Sequence, residues 1–356
     1  MVSEGVEIPL GDGMAAAKAV EGHRASAVET VTEGIYRELD EELAPFGQYG
    51  KNYCRQDIHS HLDYLAGSLV AGSSAPFGDY LVWLQGLLRA RHVPANSVAL
   101  SADLLADYFR DRLSPDQYRA VGSVIEGGKR GLTGASDTVA TFRSSATVEH
   151  DPASANSLAH SLATGNQTEA RALIDSAARN EGYLGMAVGL LQPALYRIGE
   201  LWQAREISVA QEHLATALAQ RLLVHHFALA PIAPPRGAKA MFASVAHNHH
   251  ALGLRMVADA YELDGWSVEF LGADTPTGDL LERIEQVNPE LVGLSVSMVR
   301  QLPQLKEATD RIRARFGGQS PRIVAGGLGF IRISEVADRL GLDGWSSTAL
   351  TAIEGS

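Results

Sequence analysis

From about Met14 to Leu132 apolar residues recur only at helical spacing, as in CRQDIHSHLDYLAGSL, where Ile58, Leu62, Leu65 and Leu69 fall on one face. FGDYLVWLQGLLRARHVP reads as a further helix stopped by Pro94, and NSVALSADLLADYFRDRL as another. SPDQYRAVGSVIEGG opens on a Ser-Pro cap and closes on paired glycines. Residues 133–155 hold few large apolar side chains and many Ser, Thr and Gly, the composition of a linker. From Asn156 to Ala230 four helical patterns with short connections predict an antiparallel bundle. Pro193 should kink its third helix, YLGMAVGLLQPALYRIGELWQARE, and PIAPPRG then forms a stiff connection.

From residue 238 to 356 the period alternates. KAMFASVA, WSVEFLG, ELVGLSVS and RIVAGG read as strands, with helices over 251–264, TGDLLERIEQV, 303–316 and 332–340. Apolar strands alternating with helices imply a parallel sheet covered on both faces. The chain is therefore expected to be an α and α/β multidomain protein. Its parts are an all-α block (14–132), a linker (133–155), a four-helix bundle (156–230) and a flavodoxin-like or Rossmann-like domain (238–356) with a parallel five-stranded sheet.

Composition narrows the partners. A formal charge of −12 argues against a general nucleic-acid surface. No apolar run is long enough for a membrane span, and MVSEGVEIPLGDG lacks a signal pattern, so the expected location is cytoplasmic. The one cysteine, Cys54, excludes an internal disulfide and a multi-cysteine zinc site; it reads as a half-buried helix residue, with a covalent attachment point as the alternative.

Chemistry concentrates where strands end. SVAHNHHALG places His247, His249 and His250 just past the first strand, where ligands bind in such sheets. Three imidazoles could hold zinc, but ligands so close in sequence converge poorly, and a solvated polar loop fits them as well. His250 stands in H-x-x-G spacing with Gly253, Ser295 and Ser297 close the third strand, and Gly326 and Gly327 close the fourth. In the bundle, Trp202 is followed at W-x9-E-H spacing by Glu212 and His213, residues that by themselves suit a core tryptophan and a solvated pair.

Taken in order, these strand-end residues resemble the D-x-H-x-x-G…S-x-L/S/T…G-G signature of the cobalamin-binding domain. The resemblance implies that His250 is the lower axial ligand to cobalt in a base-off, His-on state. It implies that Gly253, Ser295, Ser297, Gly326 and Gly327 line the slot for the displaced nucleotide tail. Asn248 stands where the family carries an acidic partner; an amide can hydrogen-bond the imidazole but cannot balance charge as a carboxylate does. The bundle motif resembles the light-sensing cobalamin repressors of CarH type, which implies that Trp202, Glu212 and His213 cover the 5′-deoxyadenosyl group of adenosylcobalamin. Those repressors place a histidine after the tryptophan, to capture cobalt after light; here that position is Gln203. The resemblance covers roughly residues 156–345.

The repressors' basic helix-turn-helix module has no counterpart in residues 14–132, so no direct DNA binding is expected. That block instead carries aromatic, Arg, Asp and His residues that suit a tetrapyrrole pocket, although a helical dimerisation domain fits its composition equally. Its C-x2-D…H-L-x-Y-L and D-Y-L-x-W-L…L-x-R runs are similar to the photocobilins, which join a cobalamin module to a globin-like bilin module. That similarity implies non-covalent biliverdin; from their chemistry Asp57, His59, His61, Tyr64 and Arg89 are the candidate contacts. His59 and His61 point about 200° apart on a helix and do not easily share one pocket. The implied protein is a photoreceptor without turnover, a light-dependent homo-oligomer (a dimer first) with or without a separate effector. A corrinoid methyl carrier and a cobalamin sensor working in the dark share the fold and His250.

Overall fold

The computed structural model describes residues 8–94, 96–132, 152–331 and 333–354. Contacts divide the chain into two compact units, 1–141 with 299–303, and 142–298 with 304–356. Among the described residues no helix is long and apolar enough to cross a membrane.

The first unit is built from α1 (Leu10–Gly22), α2 (Arg24–Glu38), the single turn α3 (Asp40–Leu43), α4 (Gly47–Ala71), α5 (Ala75–Arg89), α6 (Ser97–Arg110) and α7 (Pro115–Leu132). The stripe Ile58, Leu62, Leu65 and Leu69 on α4 is fully buried, and Gly72, at φ 72°, ends that helix in the left-handed conformation. The paired glycines of α7 depart from the expected stop: the helix runs on through Gly127 and Gly128 to Leu132. A Cβ on Gly128 would stand 2.7 Å from the Phe77 ring, and one on Gly78 would stand 3.3 Å from the Gly128 Cα. These glycines let α5 and α7 approach backbone to backbone.

The second unit begins with α8 (Pro152–Thr164), so the first bundle helix starts inside the expected linker; residues 133–151 of that linker lie outside the described ones. α9 (Gln167–Leu184) is capped by Asn166 and breaks at Gly182, where φ is 74° and ψ −177°. A π-helical turn, Gly185–Leu191, leads into α10 (Gln192–Gln203), and α11 (Val209–Phe227) starts from a capping box of Ser208 and Gln211. Pro193 follows that turn within a continuous run of helical backbone, so the disturbance expected of the third helix takes the form of the π-helical turn just before the proline.

The bundle core of Leu158, Leu162, Ile174, Met186, Leu191, Ile198 and Leu223 continues without a gap into Met256, Ala260 and Ala349 of the α/β part. Tyr183 reinforces that seam by donating its hydroxyl to the buried Asp259 carboxylate, which also pairs with Arg255. Burial pushes the Asp259 carboxyl above its ordinary range, against the pull of Tyr183 and Arg255. Tyr183→Phe should leave that oxygen without its phenol and cost about 2 kcal/mol. The measurement is the urea midpoint of the full chain; an unchanged midpoint would mean that Tyr183 holds no part of the seam.

The α/β part runs β1 (Lys239–Val245), α12 (Leu252–Leu263), β2 (Ser267–Thr275), α13 (Thr277–Val287), β3 (Leu291–Ser295), α14 (Leu302–Phe316), β4 (Arg322–Gly326), the short α15 (Leu328–Ile331), β5 (Gly344–Ser346) and α16 (Ala349–Glu354). All pairings are parallel, in the order β2-β1-β3-β4-β5, with the switch between β1 and β3. The expected helix over 332–340 is replaced by short 3-10 turns at Ser334–Val336 and Asp338–Leu340, closed by Gly341 at φ 76°. PIAPPRG is docked rather than free-standing: the Ala233 and Arg236 N–H groups donate to the Leu263 and Gly265 carbonyls.

Candidate functional site

Sheet register gathers the strand-end residues. Ser244 lies opposite Ser295, and Ser295 opposite Gly326, so the ends of β1, β3 and β4 meet at one level. Ser295 is buried, whereas Ser297, Gly326 and Gly327 are half-buried. Gly327 has φ 95°, and a Cβ there would stand 2.4 Å from the Val296 carbonyl oxygen, so only glycine lets the β3 and β4 ends come this close. Gly253, in the first turn of α12, is exposed, and a Cβ on it would meet nothing within 4 Å. Packing within the chain does not require that glycine.

The loop between β1 and α12 is held by polar contacts. His247 adopts φ 65°, and its N–H donates to Asp274 Oδ1 at 2.6 Å. Asn248 is fully buried; its Nδ2 donates to the Ser295 carbonyl at 2.9 Å, and its Oδ1 accepts the backbone N–H of His250 at 3.1 Å. The His250 carbonyl accepts from Ser244 Oγ at 3.3 Å, while the His250 side chain lies on the exposed rim. No cluster of three His, Cys, Asp or Glu residues able to hold a metal ion occurs among the described residues, so a three-histidine zinc site is not formed. A single imidazole beside small residues and hydroxyls is a donor set that suits a metal already held in a macrocycle.

Asp274 was not legible as a site residue. Its signal is the GADTP run: β2 extends to Thr275, past the expected end, and carries the carboxylate to the β1 loop.

At one end of the bundle, α10 finishes with Trp202 and α11 begins, after the 204–208 turn, with Glu212 and His213 in its first turns. Trp202 and Glu212 are half-buried and His213 is exposed, with Nδ1 2.6 Å from Glu212 Oε2. The other Glu212 oxygen accepts the Thr216 hydroxyl at 3.0 Å, fixing the carboxylate's orientation. Gln203, beside the tryptophan in sequence, is buried in the bundle.

In the helical unit the five candidate contacts do not assemble. Asp57, His61 and Tyr64 lie toward the interior, whereas His59 and Arg89 are exposed. His61 is enclosed, its Nδ1 2.6 Å from the Asp57 carbonyl oxygen and its Nε2 2.8 Å from Ser101 Oγ, and Tyr80 stacks on Tyr64 at 4.1 Å. Burial holds the His61 imidazole down at about 4 and lifts the Asp57 carboxyl to about 6. Cys54 is half-buried, its thiol pushed up by burial to about 11, as its position on a helix led one to expect.

Comparison with known proteins places this geometry in a class. Residues 238–354 match the B12 binding domain family, and residues 154–225 match a second family likewise described as a B12 binding domain. The C-terminal half of the chain is thus a cobalamin-binding module, an α/β domain joined to a helical bundle. Among characterised proteins it is similar to the HTH-type transcriptional repressor CarA of Myxococcus xanthus, 37% identical over 145 residues, 40% of this chain and 46% of that protein. The HTH-type transcriptional repressor CarH of the same organism is 30% identical over 124 residues, 35% of this chain and 41% of that protein. Dimethylamine corrinoid protein 1 of Methanosarcina acetivorans is 24% identical over 104 residues, 29% of this chain and 48% of that protein. The chain spans less than half the length of each of these relatives.

Proposed function

We propose that this protein is a light sensor that binds adenosylcobalamin in its C-terminal half and biliverdin in its helical unit. The observation that carries the reading is the placement of Trp202 and the Glu212–His213 pair on either side of one turn at a single end of the bundle. Similarity to the two repressors supports it. In this reading His250 would hold the cobalt, the glycines and serines at the β3 and β4 ends would receive the nucleotide tail, and Trp202 would pack against the adenosyl group. The bound cofactor supplies a cobalt–carbon bond that visible light breaks. The protein catalyses no turnover. Trp202 would lose a packing partner with the adenosyl group, and the bundle would carry that loss to the assembly of a homo-oligomer or to a separate effector. The bilin part of the reading rests on the likeness of the helical unit's sequence runs to the photocobilins, since His61, Tyr64 and Tyr80 pack on one another.

The test is reconstitution with adenosylcobalamin and biliverdin, absorption spectra before and after green light, and mass in solution in both states. Expected are a spectral change on illumination and a changed mass. A spectrum indifferent to light would overturn the light-sensor reading, and a missing bilin band would confine it to cobalamin. The dimethylamine corrinoid protein favours a second reading, a methyl carrier. That reading predicts methyl exchange with a partner methyltransferase and a mass that light does not alter.

A further inference from the structure

Asn248 uses all four of its hydrogen-bonding groups on backbone. Its N–H donates to the Val245 carbonyl at 3.0 Å, and its own carbonyl accepts the Asp274 N–H at 2.9 Å. Nδ2 donates to the Ser295 carbonyl at 2.9 Å and Oδ1 accepts the His250 N–H at 3.1 Å. These bonds join the loop after β1 to the ends of both neighbouring strands, β2 and β3. The bond to Ser295 crosses the β1/β3 switch point, the crevice that such sheets offer to ligands. The side chain is wholly enclosed, so no water replaces a lost partner there.

The polarity of the contacts selects an amide. The Ser295 carbonyl needs a donor and the His250 N–H an acceptor, and one planar carboxamide supplies both. An ionised carboxylate could keep the His250 bond, but would set a negative oxygen against the Ser295 carbonyl inside a closed site.

We infer that Asn248 is a positioning residue that locks the backbone of His250 to Ser295 across the switch crevice, through a donor that aspartate lacks. The inference rests on the cobalamin reading for what His250 ligates, but not for the lock itself. On this view the loop bearing His250 and the strand end bearing Ser295 keep one fixed spacing, set by the amide before any ligand arrives.

The experiment uses the full chain with Asn248→Asp and Asn248→Ala. Without cofactor, hydrogen–deuterium exchange over residues 246–251 should quicken about tenfold in both variants. With cobalamin, both should bind about tenfold to a hundredfold more weakly, Asn248→Asp at least as weakly as Asn248→Ala. In the cob(II) state the electron paramagnetic resonance splitting from an axial nitrogen should weaken in Asn248→Asp, a change that general destabilisation would not produce in the bound fraction. Unaltered exchange in both variants overturns the lock. Wild-type affinity and full nitrogen splitting in Asn248→Asp overturn the need for an amide, and would assign the side chain to the imidazole instead. Wild-type protein that takes up no cobalamin sinks the cofactor reading alone, since the exchange measurement still decides the lock. Should Asn248→Asp fail to fold, Asn248→Ala carries the exchange and binding measurements.

Discussion

His250→Ala should leave cobalamin bound roughly 100-fold more weakly, or bound with water below the metal. Loss of a residue that merely orients a metal ligand already costs 10- to 100-fold, so loss of the ligand belongs at the upper end or beyond. The neighbouring imidazoles are poor substitutes. The His247 backbone is tied to Asp274 in a left-handed conformation, and His249 lies outside the H-x-x-G spacing that joins His250 to Gly253. His247→Ala and His249→Ala should therefore leave the absorption spectrum of the bound cofactor unchanged. Titration of each variant with cobalamin, followed by absorption, decides the matter. A His250→Ala protein with native spectrum and affinity would place the ligand elsewhere.

The second large effect concerns the stability of the helical unit between pH 4 and 6.5. His61 titrates at about 4 when folded, against 6.5 when free, so the unfolded chain takes up the proton first. Its contribution is complete above pH 6.5 and is lost as pH falls toward 4. Asp57 has the opposite sign. Its carboxyl is lifted from 3.8 to about 6, so the folded state holds the proton longer, and its contribution is present at low pH and lost as pH rises through 6. The two slopes oppose each other over most of this range. His61 is fully enclosed, and its shift corresponds to about 3 kcal/mol. Asp57 is lifted by nearly as much in the opposing sense, so it offsets most of the His61 slope in the wild type. Asp57→Asn should therefore steepen the loss of stability on acidification toward the full His61 value. Urea midpoints of wild type and variant at several pH values measure it, and comparing the two cancels the remaining carboxylates. Equal slopes would mean that Asp57 carries no titration of its own in the folded unit.

Much of this architecture was legible because it is periodic. The run TGDLLERIEQV bounds α13 residue for residue, and the pattern of the third bundle helix begins at Tyr183, next to the Gly182 break. The four named strands and the parallel sheet followed from apolar runs between helices. What stayed hidden depends on which distant atoms a residue meets. Gly127 and Gly128 carry the mark of a helix end, but their lack of side chains serves a neighbouring helix instead. The prolines of PIAPPRG suggest a stiff connection, and the Ala233 and Arg236 N–H groups beside them find the α12–β2 turn. At the site, His250 and Gly253 announce themselves by spacing. Asn248 stands out in sequence as a replacement for an acid, but its bond to Ser295 depends on two strand ends that only the fold brings together.

The continuous core of the second unit bears on how such a module can be inherited. Two separate family descriptions cover residues 154–225 and 238–354, as though the chain could be cut at the proline-rich stretch between them. The side chains do not respect that cut: Met256, Ala260 and Ala349 belong to the same apolar cluster as Leu158, Ile198 and Leu223. A gene rearrangement that carried off the α/β half alone would leave the bundle-facing side of α12 in water. In this chain the α/β half is thus finished only by the bundle that precedes it.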